Sequence, residues 1–330
     1  MKKKLILVTG CAGFIGYHLS LRLLEKKYSV IGIDSIDSYY SGKLKKDRIE
    51  ELKEYSKKKG RFFRFLKMNI VNSKKLNSLF SRYKFKEVVH LAAQAGVRYS
   101  LINPKKYLDT NIVGYYNILE CCRKHKVIKI IFASSSSVYG NLKKNKFKET
   151  DLTDNPIQFY AATKKSNEVI SYAYSSLYNL NITGIRFFTV YGPWGRPDMS
   201  IFKFTKNIIE NKKINIFNNG KHKRDFTYID DVVLALMKLL KRKRKKNEKK
   251  FNIFNIGNGK PEKLIYLIKC LENILEKKAK KNFLGLQKGD VEKTHSDISK
   301  LKRYIFLKPR TDLRHGLKKF ISWYKSYYKV

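Results

Sequence analysis

Acidic side chains are scarce in this chain: 27 Asp and Glu stand against 72 Lys and Arg, a formal charge of +45 over 330 residues. Such an excess raises nucleic acid or an anionic membrane surface as a partner. The basic residues do not interleave with aromatics, however, as a stacking platform for single strands requires. Lys far outnumbers Arg, and the abundant Lys, Asn, Ile, Phe and Tyr all have codons rich in A and T. The excess therefore reads as drift at solvated positions, and a nucleic-acid partner is not expected. Cysteine is also sparse: Cys11, Cys121, Cys122 and Cys270 form no CxxC pair and lie near no histidine at ligand spacing. That excludes a disulfide framework and a zinc site, and it fits a reducing cytoplasm. Long apolar runs are missing as well. Residues 5–8 are too few for a signal peptide, and nothing approaches the roughly 20 apolar residues of a spanning helix. The expectation is a soluble, unexported protein with no membrane partner.

What is present is a 43% hydrophobic chain, enough for a large domain or two closely packed lobes. Short apolar runs at residues 5–8, 30–33, 63–68, 87–91, 129–133 and 182–187 read as buried strands, with segments of helical period between most of them. Strands separated by helices imply an α/β fold of Rossmann type, a doubly wound parallel sheet that binds ligands at the carboxyl ends of its strands. After Tyr191 the alternation loses regularity, and residues 192–197 carry Gly, Pro and Trp194. The expected division is a dinucleotide-binding domain over residues 1–190 that returns at 226–258, with a smaller α/β lobe from 191–225 and 259–330. A helix over 230–240 and a strand over 252–256 belong to that return. The basic run 241–250 between them reads as a solvated loop.

Around the first turn, Gly10, Gly13 and Gly16 recur every third residue between a strand and a helix. The chain must bend there and let a phosphate approach the helix N-terminus. The pattern has one residue more in its first gap than GxGxxG. Asp34 ends the second strand about 20 residues on, where a carboxylate binds both ribose hydroxyls and repels a 2′-phosphate, so NAD is favoured over NADP. Further along, Tyr160 and Lys164 stand four apart on one helix face, and the serine run 134–137 follows a strand. A base near neutral pH needs tyrosine shifted by about 3 units from its free pKa of about 10, roughly 4 kcal/mol. Lys164 and a positive nicotinamide are the expected sources of that shift.

These motifs resemble a known family. TGCAGFIG, HLAAQAGVRYS from His90, SSSSVYG ending at Gly140, YAATK from Tyr160, RFFTVYGPWGRPDM from Arg186 and RDFTYIDDV from Arg224 look like the extended short-chain dehydrogenases that act on nucleotide sugars. Within that family the likeness is nearest to the UDP-glucuronate 4-epimerases. The resemblance implies Ser135 as catalytic hydroxyl, Tyr160 as base and Lys164 as its partner. It implies NAD held by Gly10, Gly13, Phe14, Ile15, Gly16, Asp34, Asn69, Ile70, Leu91, Ala92 and Ala93, with Asn69 standing where relatives often have aspartate. It also implies a homodimer through a helix bundle that includes the helix of Tyr160.

The chemistry implied is removal of the 4-hydroxyl proton by Tyr160, hydride transfer to NAD, turnover of the 4-keto sugar and return of the hydride to its other face. Related dehydratases and decarboxylases carry an acidic residue in the serine motif; here Ser136 and Ser137 stand there, which favours simple epimerisation. A uronate carboxylate would meet Ser136, Ser137, Thr189 and the fork of Arg196. The resemblance places uridine diphosphate at Arg224 and Asp290, with Arg98 also on the substrate side. A UDP-glucose or N-acetyl sugar 4-epimerase is the alternative within the family. A catalytically silent nucleotide-binding scaffold and a basic RNA-associated protein are the alternatives outside it.

Overall fold

The direction in which successive side chains are buried explains the central sheet. In the strand β1 (Leu5–Thr9), Ile6 and Val8 enter one apolar cluster and Leu7 enters another, as a strand covered on both faces must do. The computed structural model describes residues 5–287, 289–309 and 311–330. The lysines ahead of residue 5, and Lys288 of the KGDV segment, lie outside the described residues. The strands that follow are β2 (Ser29–Asp34), β3 (Phe63–Lys67), β4 (Glu87–His90), β5 (Lys129–Ser135), β6 (Ile182–Phe187), β7 (Thr189–Tyr191), β8 (Lys213–Ile216), β9 (Lys223–Tyr228), β10 (Phe251–Ile256), β11 (Pro261–Lys263) and β12 (Lys280–Phe283).

Seven of these strands pair in the order β10-β6-β5-β4-β1-β2-β3, each pair parallel. The chain moves outward from β1 to β3, then returns and builds from β4 in the other direction. The order thus reverses between β1 and β4, and a crevice opens at their carboxyl ends. This is the doubly wound α/β sheet read from the sequence, with ends moved by a residue or two. One shift matters for chemistry. The strand expected at 129–133 runs on to Ser135, so Ser134 and Ser135 face opposite sides of the sheet.

After Tyr191 two small sheets replace the alternation. In one, β9 pairs parallel with β7 and antiparallel with β11; in the other, β8 pairs parallel with β12. The strands β8 and β12 were not foreseen because their sequences, KINI and KKNF, carry little apolar signal, and β12 is exposed throughout. The helix Ile229–Lys241 returns to pack on the helix Phe14–Glu25. The basic run beyond it is only partly a solvated loop. Its lysines are mostly exposed, but Arg242 lies 3.6 Å from the centre of the Tyr304 ring and grips Glu248 with both arms of its fork. Among the described residues, no helix is long and apolar enough to cross a membrane.

The first turn fixes the approach of helix to strand. Gly10 adopts φ +72°, and a Cβ there would fall 2.6 Å from the backbone nitrogen of Ala92. A Cβ on residue 16 would fall 2.0 Å from the carbonyl oxygen of Gly10. Both glycines are thus required by chain packing, and a Cβ on residue 13 would also be tight, 3.0 Å from the same carbonyl oxygen. In an exposed helix, replacing glycine by alanine stabilises by about 1 kcal/mol. Gly16→Ala is expected to do the reverse, lowering the urea midpoint and abolishing retention of dinucleotide on gel filtration.

Candidate active site

The residues singled out from the sequence as cofactor, catalytic or substrate contacts all line one cleft of about 990 Å3 above the carboxyl ends of the sheet. That volume lies at the upper end of the roughly 300–1,000 Å3 usual for small-molecule sites. The helix Phe14–Glu25 has no side-chain cap at Gly13, so its first amides stay open to an anion in the cleft. Phe14, Ile15, Leu91, Ala92, Ala93 and Ile70 form the apolar walls around it.

Asp34 closes this end. Its carboxylate accepts hydrogen bonds from Ala12 N (3.1 Å) and Ile36 N (2.8 Å). Burial raises its pKa, opposed by those amides and by the charges of Lys45 and Arg48. The amide oxygen of Asn69 accepts from Val71 N at 3.0 Å, so it is committed to its own turn, with the rest of the side chain exposed at the rim. The cradle fits a dinucleotide: open helix amides, a carboxylate at the strand end and an apolar floor.

At the centre, Ser135 ends β5 and accepts from Ser137 N at 3.1 Å, while its hydroxyl donates to Ser137 Oγ at 3.1 Å. The helix Phe159–Tyr178 brings Tyr160 and Lys164 to the same place. Burial raises the Tyr160 pKa; a hydrogen bond with Ser135 and the charge of Arg196 pull it back, without reversing the rise. Lys164 is buried, donates to Ala133 O at 2.8 Å, and desolvation pushes its pKa down to about 7.

Behind these groups lies a network that the sequence did not reveal. Glu168, one helical turn beyond Lys164, receives Arg186 Nε and a terminal guanidinium nitrogen, each at 2.8 Å, and Ser134 Oγ at 2.6 Å. The ion pair is buried, with side-chain exposures of 4% and 6%. It ties together β5, β6 and the helix bearing Tyr160. Asn111 makes a second tie. Its side chain accepts from Gln94 N (2.8 Å) and donates to Gln94 O (3.1 Å) and Thr163 Oγ1 (3.0 Å). Neither network has a motif, because each joins residues 17 or more positions apart.

The far end is held differently from the expectation. The fork of Arg196, assigned to a sugar carboxylate, is filled by Asp198 at 3.0 and 2.6 Å. Asp290, assigned to the uridine diphosphate, pairs with Arg98 at 3.1 Å, and Arg98 also covers the Phe217 ring at 4.6 Å. Arg224 donates to the carbonyls of Lys223 and Glu292, and burial lowers its pKa to about 10. Two guanidinium groups with one carboxylate leave this end electropositive, suited to a diphosphate. Ser136, Ser137 and Thr189 line the wall between. Tyr39, Lys45, Gln94, Phe217 and His222 also line the cleft and were missed; only Gln94, inside HLAAQAGVRYS, had a sequence signal.

A doubly wound sheet with an open glycine turn, a strand-end serine and a tyrosine and lysine one helical turn apart defines a dinucleotide-dependent enzyme of short-chain dehydrogenase type. The chain belongs to the NAD dependent epimerase/dehydratase family, whose profile matches residues 6–257. It is 47% identical to protein CapI of Staphylococcus aureus, over 98% of this chain and 99% of that one. It is 45% identical to UDP-glucuronate 4-epimerase 4 of Arabidopsis thaliana, over 98% of this chain and 76% of that one. Among solved structures it resembles UDP-glucuronic acid 4-epimerase of Bacillus cereus in complex with UDP-glucuronic acid and NAD, with a TM-score of 0.90 and 35% identity over 98% of this chain and 100% of that one.

Removing one member of the buried ion pair leaves the other charge unpaired, at a cost of about 3–5 kcal/mol. Glu168→Gln is expected to lose that amount in urea unfolding, since Arg186 is left buried against a neutral amide. A loss within 1 kcal/mol would show that the pair does not hold the three elements together.

Proposed function

We propose that the protein catalyses the NAD-dependent 4-epimerisation of UDP-glucuronate to UDP-galacturonate, with Tyr160 as the base. The observation that carries this is the convergence of Ser135, Tyr160 and Lys164 in one cleft with the glycine turn and Asp34, where the serine motif holds no acid. Bound NAD supplies a reversible hydride acceptor, so that the sugar passes through a 4-keto stage without net redox. Gly10, Gly13, Gly16 and Asp34 would hold that cofactor, with Phe14, Ile15, Asn69, Ile70, Leu91, Ala92 and Ala93 around it.

Tyr160 takes the 4-hydroxyl proton and Ser135 hydrogen-bonds the sugar oxygen as charge builds on it. Lys164, one helical turn from Tyr160, would support the phenolate and help to hold the cofactor. Arg224, Asp290 and Arg98 grip the uridine diphosphate. Ser136, Ser137 and Thr189 bind the uronate carboxylate, and Arg196, already paired with Asp198, contributes charge more than a free fork. The absence of an acidic group from the serine motif supports simple epimerisation over elimination or decarboxylation. Epimerisation of UDP-glucose is the second reading; it needs no carboxylate partner.

The same reading divides the chain into a dinucleotide half, residues 1–190 with the return at 226–258, and a substrate half from 191–225 and 259–330. It also places the protein as a cytoplasmic homodimer. In support, all four cysteines are buried and unpaired. The helix of Tyr160 and the helix Gly114–Lys124 with the segment before it leave Leu108, Val113, Tyr116, Val169, Tyr172 and Leu177 exposed, apolar side chains of the kind that mark an interface. The high positive charge is read as solvated surface with no nucleic-acid partner.

Purified protein incubated separately with UDP-glucuronate, UDP-glucose and UDP-N-acetylglucosamine is expected to form the galacto epimer of the first alone, read by proton NMR. Conversion of UDP-glucose alone would overturn the substrate. Tyr160→Phe is expected to lower kcat by about 10²–10⁴-fold, the range of general acid–base catalysis. Because burial holds the phenol above its usual pKa, the wild-type rate is expected to rise with pH until the phenolate is formed, with no fall on that limb.

A further inference from the structure

Arg48 is a wholly buried guanidinium for which the reaction just described has no use. Its acceptors are all neutral oxygens: Ala12 O at 2.8 Å, Tyr40 Oη at 2.9 Å, Trp194 O at 2.6 Å and Gly195 O at 3.3 Å. Its Nε–H has no partner among the described residues. Burying a cation with an unpaired donor costs stability, so a well-packed apolar side chain would serve the fold at least as well. The position is better explained by what the guanidinium joins. Ala12 belongs to the glycine turn, whereas Trp194 and Gly195 lead directly into Arg196.

The carbonyls of the loop over residues 193–195 are held from the dinucleotide half, while the Trp194 ring also packs on Trp323 and Tyr327 at 5.4 and 5.1 Å. His18, on the helix that follows the glycine turn, bonds Pro193 O through Nε2 at 2.8 Å. Arg48 takes the next two carbonyls, and the Tyr17 ring lies 5.4 Å from that of Trp194. Three consecutive carbonyls are thus fixed by two side chains from across the cleft. Trp194 needs that support, since it sits at φ +58°, a conformation that costs a bulky residue of order 1 kcal/mol or more. Arg196 then emerges with Asp198, Tyr39 and Tyr40 as its charged and titratable neighbours, and Tyr39 donates to Asp198 at 3.2 Å. Burial lowers the His18 pKa to about 4, so the imidazole stays neutral and donates through Nε2 at working pH.

We propose that Arg48 is a positioning residue that, with His18, sets Arg196 beside Tyr160 from the dinucleotide side, so that the substrate arginine is in place only when the glycine turn is ordered. This rests on Tyr160 acting as the base of a UDP-sugar epimerase. The grip on uridine diphosphate at Arg224 and Asp290 is made by other elements and does not pass through this loop. Disturbing the brace should therefore act on turnover and leave nucleotide affinity alone.

Arg48→Lys keeps the charge and removes the fork that reaches both sides. Against wild type it is expected to lower kcat on UDP-glucuronate at least tenfold, while the Kd for UDP by calorimetry stays within twofold and NAD co-purifies in equal stoichiometry. A kcat within twofold of wild type, measured below the unfolding transition, would overturn the proposal even if the melting temperature drops. A parallel loss of UDP affinity would also overturn it, because the residue would then act as a general structural support. If Arg48→Lys does not fold, His18→Ala decides in the same way, since it frees the same loop at Pro193. An inactive wild type would sink the epimerase reading, whereas an active wild type with unaltered variants would sink only the brace.

Discussion

The carbonyl oxygen of Gly10 is the point around which the molecule is arranged. Gly13 N donates to it at 2.9 Å, and the backbone of Gly16 passes so near that no side chain fits between. This contact sets the first helix against the end of β1 and aims its uncapped amides into the crevice where the strand order reverses. Gly10 itself lies against the backbone of Ala92 at the end of β4. The two strands that bound the crevice are thus in van der Waals contact through a residue with no Cβ. The cleft inherits its floor from that approach.

Electrostatics in the cleft are governed by how dry it is. Desolvation is the largest influence on Asp34, Tyr160, Lys164 and Arg224 alike, raising the acids and lowering the bases. The protein compensates with geometry: Ser135 and Arg196 beside the phenol, two amides on Asp34, and a closed ion pair between Glu168 and Arg186 underneath. A site of this kind keeps its tyrosine protonated until further positive charge arrives.

The lobe after Tyr191 illustrates where local reasoning ends. Two small sheets of three- to six-residue strands gain their stability from the neighbours they meet: KKNF has no apolar alternation, and KINI alternates over only four residues, too few to stand out. The basic run over 241–250 shows the same limit on a smaller scale. Its charge pattern suggests a solvated loop, yet Arg242 folds back on Tyr304 and Glu248, because a nearby aromatic face and a carboxylate are worth more to guanidinium than water is.

By itself the sequence determined the doubly wound sheet, the glycine turn, Asp34 at the end of β2 and the set of residues that face one cleft. The sheet, the turn and Asp34 follow from short-range periodicity and from spacing within about 20 residues, whereas the set of cleft residues follows from the resemblance to the nucleotide-sugar short-chain dehydrogenases. Only the tertiary structure decided which of those side chains remain available. It turned Lys164 to Ala133, filled the fork of Arg196 with Asp198, paired Asp290 with Arg98, and placed Glu168, Arg186 and Arg48 behind the site. Such pairings are made between residues as many as 192 positions apart, where no spacing rule operates and the partner is selected by the fold's geometry and by the cost of leaving a buried charge or donor alone.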